Sequence, residues 1–244
     1  MSKIYEIEKY DVRFKIESGK ALHDDELCNR LITKNWEEKT FAFIKEVMPK
    51  DSSYIDIGAW IGTTALFAAG AITGNGICYA IEPNKKSFSA MSENFILNTY
   101  KNISAHNIAI SNYDGVTYFS DEMGSPESKI GASSGIEVTC NRLQTFIELN
   151  SICNIGFIKL DTEGSEMDIL PDIKNFIKEI GLPPMHISLH PRDVADKDRF
   201  FDSVFDFLQI YGSVKKDDID LIKGNGLSEL RVQKNSIKTN VYDN

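Results

Sequence analysis

The ten residues Ser53-Tyr54-Ile55-Asp56-Ile57-Gly58-Ala59-Trp60-Ile61-Gly62 decide the fold. Ser53 to Ile57 is a short apolar run, and the turn that follows is punctuated by Gly58 and Gly62. TTALFAAGAI (63–72) then reads as a buried helix, stopped by the glycines of TGNG (73–76). The rhythm continues with GICYAIEPN (76–84) as a second strand, KKSFSAMSENFILNTY (85–100) as an amphipathic helix and ISAHNIAIS (103–111) as a third strand. Further on, GFIKLD (156–161) and MHISLHP (185–191) are strands separated by the helix EMDILPDIKNFIKEI (166–180), and RFFDSVFDFLQIYG (199–212) is a final helix. Strands alternating with helices predict an α/β fold, a doubly wound, mostly parallel sheet with helices on both faces.

Outside this core the patterns are weaker. IYEIEKYDVRFKIES (4–18) alternates as an edge hairpin would, and Asp24 to Met48 reads as one helix stopped by Pro49. VTYFS (116–120) and IEVTC (136–140) are short strands around a Gly- and Ser-rich loop at 121–135, followed by a helix in CNRLQTFIELN (140–150). SELRVQ (228–233) is a closing strand before a polar tail. One domain over 1–244 is expected, divided into an N-terminal strand and helix elaboration (1–50), a core (51–212) and a closing strand with tail (213–244).

The chain has 27 Lys and Arg against 36 Asp and Glu, a net charge of −9, which argues against a nucleic-acid partner. The longest apolar stretch, Ala65 to Ile72, is far short of the ~20 residues of a membrane helix, so no membrane partner is expected. The opening MSKIYEIEKYD lacks the apolar run of a secretory leader. Cys28, Cys78, Cys140 and Cys153 show no C-x-x-C spacing, and a cytoplasmic location with reduced thiols is expected.

A glycine turn after the first strand, followed by a helix N-terminus, is where an α/β sheet binds its ligand. Dinucleotide enzymes use G-x-G-x-x-G there, but this chain has D-x-G-x-x-x-G. Asp56 disfavours a pyrophosphate and suits a ligand that carries an amino group or a positive charge, as S-adenosylmethionine does. Glu82 ends the second strand, where an acid accepts hydrogen bonds from ribose hydroxyls in either cofactor class. The third landmark is IKLDTEGSE (158–166): Lys159, Asp161, Glu163 and Glu166 crowd the end of a buried strand, which is costly unless the charges are paired or used.

These motifs together resemble the FkbM-type family of S-adenosylmethionine-dependent methyltransferases. The resemblance rests on IDIGAWIG, AIEPNKKSF, ENFILN with Asn94 and Asn98, HNIAIS and FIKLDTEGSEMDIL, and covers about residues 36–191. It departs from the family at Trp60, where a small or polar residue is usual, and at Asn141 to Phe146, where an L-D-D-F-like acid pair is usual. The resemblance implies a Rossmann-like class I methyltransferase. Asp56 and Gly58 would face the methionyl part of the cofactor, Ala59 and Gly62 would shape the turn, Glu82 would hold the ribose, Asn107 and Ile108 would lie near the adenine, and Asp161 near the methyl group. The family mostly O-methylates hydroxyls, often of sugars or natural products, and S-adenosylhomocysteine is the other product.

An alcohol needs a general base or a metal to become a nucleophile. Asp161, Glu163, His186 and His190, at neighbouring strand ends, are the candidates, and Asp161, Glu163 and His190 would be the ligands of a divalent ion, with the base favoured. His186 and His190 are four apart on one strand and face the same side; His186, deeper, is expected to be a core histidine. Arg192 is a candidate for a phosphate or carboxylate of the substrate. The expected partner is a small hydroxylated molecule, such as a sugar, a glycan precursor or a phosphorylated metabolite. The alternative is a nucleoside-binding protein without methyl transfer, either nicotinamide-dependent or degenerate.

Overall fold

A computed structural model describes residues 3–18, 25–33, 36–119, 136–191, 194–214, 222–223 and 228–241. The chain opens with strands β1 (Ile4–Lys9) and β2 (Val12–Glu17) and helices α1 (Asp25–Ile32) and α2 (Glu38–Val47). The core then runs β3 (Ser53–Ile57), α3 (Thr63–Ala71), β4 (Cys78–Ile81), α4 (Lys85–Ile96) and β5 (Ile103–His106). After β6 (Ala109–Ile110), β7 (Gly115–Phe119), β8 (Ile136–Asn141) and α5 (Leu143–Leu149) it returns through β9 (Ile155–Leu160), α6 (Glu166–Glu179), β10 (Met185–Leu189) and α7 (Lys197–Leu208). Strands β11 (Ser228–Gln233) and β12 (Ser236–Val241) close it.

Seven strands form the main sheet in the order β12-β11-β10-β9-β3-β4-β5. The five from β10 to β5 are parallel, and β11 and β12 add an antiparallel hairpin at one edge. The chain moves outward from β3 through β4 to β5, then crosses back to β9 on the other side of β3. The order therefore reverses between β3 and β9, and a ligand crevice is expected beyond their carboxyl ends. This is the doubly wound sheet that the alternation predicts.

Strand residues alternate between two apolar layers. Ile55, Ile57, Tyr79, Ile81, Ile158, Leu160, Ile187 and Leu189 pack with α5, α6 and α7. Tyr54, Cys78, Ala80 and Phe157 pack with the N-terminal hairpin and helices α1 to α4. Helix α3 lies inside the second layer, with Ala65 to Ala68 fully buried, which explains its apolar residues on all sides. Among the described residues no helix is long and apolar enough to cross a membrane.

Four expectations need correction. Strands β1 and β2 form their own two-stranded sheet rather than an edge of the main one. The stretch expected as one helix is two, Asp25–Ile32 and Glu38–Val47, and Glu37 takes a left-handed conformation (φ 55°) as the N-cap of the second. ISAHNIAIS splits: β5 stays in the main sheet while β6 pairs with β8 in a three-stranded sheet. The expected tail contains a second strand, β12. The loop at 121–135 lies outside the described residues.

The hairpin is fastened by Asn94 of α4 and Asn98 just past its end. Asn98 accepts from Lys15 N (2.9 Å) and donates to Lys15 O (2.9 Å), so its side-chain amide imitates a neighbouring strand. Asn94 accepts from Glu17 N (2.9 Å) and donates to Ile61 O (3.0 Å). The open edge of β2 is thereby satisfied and tied to the glycine turn. Asn94→Ala leaves a backbone donor and a buried acceptor unpaired, at a cost of about 1–3 kcal/mol. The expected result is a melting temperature lower by about 3–10 °C and faster amide exchange at Glu17; an unchanged melt would contradict this role.

Candidate functional site

The carboxyl ends of β3, β9 and β10 meet at the point where the sheet order reverses. Gly58 adopts φ +81°, and a Cβ there would lie 1.7 Å from the carbonyl oxygen of Asp161. The glycine is thus required by the end of β9, whose Asp161 N bonds to Ile57 O at 2.9 Å. The sequence pattern correctly marks a close backbone approach; the group that approaches is protein. Gly62 caps α3 at φ +83°, and a Cβ there would meet Phe95 at 2.5 Å and Met91 at 2.9 Å on α4. Between them Gly58 N and Ala59 N both bond to Ile81 O at 3.0 Å, locking the turn to β4.

Glu82 is buried beside this turn. Its carboxylate accepts from Trp60 N (2.8 Å) and Asn84 N (2.8 Å), bridging the first and second strand ends. Burial raises its pKa to about 7, against the opposing pull of those two backbone hydrogen bonds. Asn107 donates to Glu82 O (2.8 Å) and Pro83 O (3.0 Å), so its side chain braces the turn that carries Glu82. Ile108 packs against the core. The Trp60 ring, where the family pattern has a smaller residue, lies 6.2 Å from the ring of Trp36 in the N-terminal elaboration.

Beneath the turn a polar row crosses the sheet. Asp56 of β3, Lys159 of β9 and His186 of β10 are register partners, one strand to the next. All three are buried. Asp56 Oδ2 accepts from Thr64 Oγ1 at 2.6 Å, and its Oδ1 lies 3.6 Å from Lys159 Nζ. Lys159 Nζ also bonds to Asp161 Oδ2 at 3.0 Å. Burial alone would discharge Lys159, but Asp161 and Asp56, then Glu37, hold its pKa well above the ordinary range. Burial pushes Asp56 up, whereas Lys159 and His190 hold Asp161 down despite its burial. His186 is the core histidine the spacing predicts, with Thr40 Oγ1 at 3.3 Å and Glu229 Oε2 at 3.5 Å from its Nε2.

Glu37 is a residue that sequence reasoning missed. Beside Glu38, it reads as an ordinary acid at a helix start, and its left-handed backbone leaves no trace in the pattern. In the structure burial, the largest effect, raises its pKa, and the charges of Lys159, Asp161 and His186 act on it.

The third cluster surrounds His190. Glu166, fully buried at the start of α6, accepts from Thr162 N (3.1 Å), Thr162 Oγ1 (3.0 Å) and Gly164 N (3.1 Å), and its Oε1 lies 3.3 Å from His190 Nδ1. Held this way, His190 turns Nε2 toward Asp161 Oδ1 (3.6 Å) and Glu163 Oε1 (3.4 Å). Burial disfavours the imidazolium, but the bond to Glu166 and the charges of Asp161, Glu166 and Glu163 outweigh it and raise the pKa to about 9. The donor atoms of Asp161, Glu163 and His190 lie within 4.8 Å of one another, and two carboxylates with an imidazole suit a divalent cation. The expected trio is therefore brought together. Arg192 lies outside the described residues. Arg142, at the departure from the usual acid pair, forms an ion pair with Asp172 instead.

Sheet order, glycine turn and acid-ended second strand together define a Rossmann-like methyltransferase fold. Residues 56–215 match the model of the Methyltransferase FkbM domain, and the chain belongs to that family. A curated relative, the hexuronic acid methyltransferase AglP of Haloferax volcanii, is 22% identical over 202 residues, 79% of this chain and 77% of its own. Among solved structures, methyltransferase FkbM from Methylobacillus flagellatus KT is similar with a TM-score of 0.45 and 18% identity over 78% of this chain. That similarity covers 50% of the other protein, so this chain spans half its length. TYW2 of P. horikoshii, in complex with MeSAdo, has a TM-score of 0.41 and 13% identity, covering 85% of this chain and 60% of that one.

Lys159→Met removes the ammonium that Asp56 and Asp161 share. A broken buried pair costs about 3–5 kcal/mol, measurable by denaturant unfolding at pH 7. The loss is expected to shrink toward pH 5, because the unpaired carboxylates can then take up protons. Equal destabilisation at both pH values would contradict the pairing.

Proposed function

We propose that the chain is an S-adenosylmethionine-dependent O-methyltransferase acting on a hydroxyl of a small molecule, with a sugar or sugar acid as the first acceptor to test. Membership of the methyltransferase family carries the reaction class, and the hexuronic acid named for the Haloferax volcanii relative supports the acceptor class. The cofactor reading is supported by D-x-G-x-x-x-G in place of G-x-G-x-x-G and by the buried excess of carboxylates, which favours a cationic ligand over a pyrophosphate.

In this reading Asp56, Gly58, Ala59 and Gly62 receive the methionyl end and Glu82 the ribose hydroxyls. Asn107 serves by bracing Glu82, and Ile108 contributes apolar surface toward the adenine. Acceptor oxygen attacks the methyl carbon in line with the C–S bond, whose electron pair passes to sulfur and leaves the neutral thioether of S-adenosylhomocysteine. The hydroxyl proton goes to the cluster of Asp161, Glu163 and His190. His190 keeps its own proton up to about pH 9, so the fraction able to accept another is small near neutrality. Glu166 holds the ring so that the accepting nitrogen is Nε2.

The test is S-adenosylhomocysteine formation from S-adenosylmethionine with uronic acids, neutral sugars and their nucleotide-linked forms, followed across pH. The rate is expected to rise with pH and level near 9, the pKa of His190. His190→Asn should lower kcat by about 10²–10⁴-fold and abolish that rise. A profile flat from pH 6 to 9 would remove His190 from the proton path. The same three donors favour a second reading, a divalent ion on Asp161, Glu163 and His190. Activity lost in chelator and restored by Mn²⁺ would decide for it.

A further inference from the structure

The chain has two tryptophans, and they stand together. Trp36 of the N-terminal elaboration and Trp60 of the glycine turn have ring centroids 6.2 Å apart, and both are only half-buried. Trp60 sits in the left-handed region at φ 50°, a costly conformation for a bulky side chain, and its N–H is held by Glu82 at 2.8 Å. It stands two residues from Gly58, which packs on the backbone of Asp161. The pair therefore belongs to the turn that adjoins the cluster of Asp161, Glu163 and His190.

A cation completes the group. The guanidinium carbon of Arg30, on α1, lies 4.4 Å from the centre of the Trp36 ring. Arg30 is exposed, and among the described residues no carboxylate pairs with it. A guanidinium over an indole engages the ring with its face and keeps the in-plane N–H donors of its edge. Those donors form the fork that grips a carboxylate or a phosphate. The strand ends themselves carry Asp161, Glu163 and Glu166, so an anionic acceptor is repelled there unless a cation meets its acid group. Half-exposed indole beside that cation gives the apolar C–H face of a pyranose a surface to pack on.

We propose that Trp36 and Arg30 form the acceptor end of the site and select an anionic pyranose, its ring on the tryptophan and its acid group on the guanidinium. This rests on the methyltransferase reading above and narrows its acceptor to sugars that bear a carboxylate or a phosphate. Arg30 thereby takes the role for which the sequence pattern nominates Arg192. Trp60, where the family pattern has a small or polar residue, ties Trp36 to the glycine turn. The N-terminal elaboration then serves acceptor choice as well as packing.

Because both tryptophans lie in this pair, intrinsic indole fluorescence reads the site without turnover. Wild type and Arg30→Gln are titrated with glucuronic acid, glucose phosphate and glucose, with S-adenosylhomocysteine present. Wild type is expected to bind at least one acidic sugar about tenfold or more tighter than glucose, the scale of hydrogen bonds between charged groups, and the tighter of the two identifies the acid group. Arg30→Gln should lose that preference and bind glucose as wild type does. Equal affinity for acidic and neutral sugars in wild type overturns the proposal, as does a wild type whose fluorescence responds to no sugar. So does a variant that keeps the preference or weakens all three sugars equally, the results of a merely structural Arg30. S-adenosylhomocysteine formation with the same sugars tests the underlying reading separately. Wild type that shows the preference but methylates none of them counts against that reading and leaves the subsite standing. Methylation of glucuronic acid with the same KM in Arg30→Gln overturns the subsite and leaves the reading in place.

Discussion

One ammonium holds the centre of this protein together. Lys159 lies on the middle strand of the reversal, with Asp56 at its register position on β3 and Asp161 two residues ahead, and the charge of Glu37 also acts on it. Asp56 cannot be moved into water without changing the register of a strand whose other face is packed in the apolar layer. The sheet and the charge cluster therefore specify each other. Slipping β9 by one residue would turn Lys159 into the Ile158 and Leu160 layer and strip Asp56 of its partner.

The site is built by backbone as much as by side chains. Gly58 lets Asp161 lie against the turn, Ile81 O collects two amides of that turn, and Glu82 collects a third together with an amide of its own loop. Glu166 does the same for the loop after β9 and sets the direction of His190. Buried acids accepting from backbone amides thus fix both loops without help from a ligand. The N-terminal hairpin is joined to this frame through Asn94, which reaches the glycine turn at Ile61.

The parallel core was legible because its signals are local. A glycine between an apolar strand and an apolar helix, and an acid before a proline at a strand end, need no distant partner to be recognised. Asp161, Glu163 and His190 could also be anticipated, since neighbouring parallel strands bring their ends together. What stayed hidden depends on long-range contacts. Alternation marks 4–18 as strands but does not say which sheet they join, and the asparagine spacing around the end of α4 shows a helix face without showing that it fastens β2. Glu37 was invisible for the same reason: the charges that act on it, Lys159, Asp161 and His186, are far from it in sequence, and its residue type does not announce its backbone conformation.

The proposed cofactor reading brings a ligand that carries positive charge to strand ends rich in buried carboxylates. Proton release on binding tests this directly, by calorimetry of wild type with S-adenosylhomocysteine near pH 7 in buffers of different ionisation enthalpy. Burial holds Asp56 and Glu82 above their ordinary pKa values, Glu82 at about 7, and the ammonium and ribose hydroxyls of the proposed cofactor would favour their charged forms. Binding should therefore release protons near pH 7, and the release should fade as the pH rises well above it. A binding heat independent of the buffer, or proton uptake, would contradict the account.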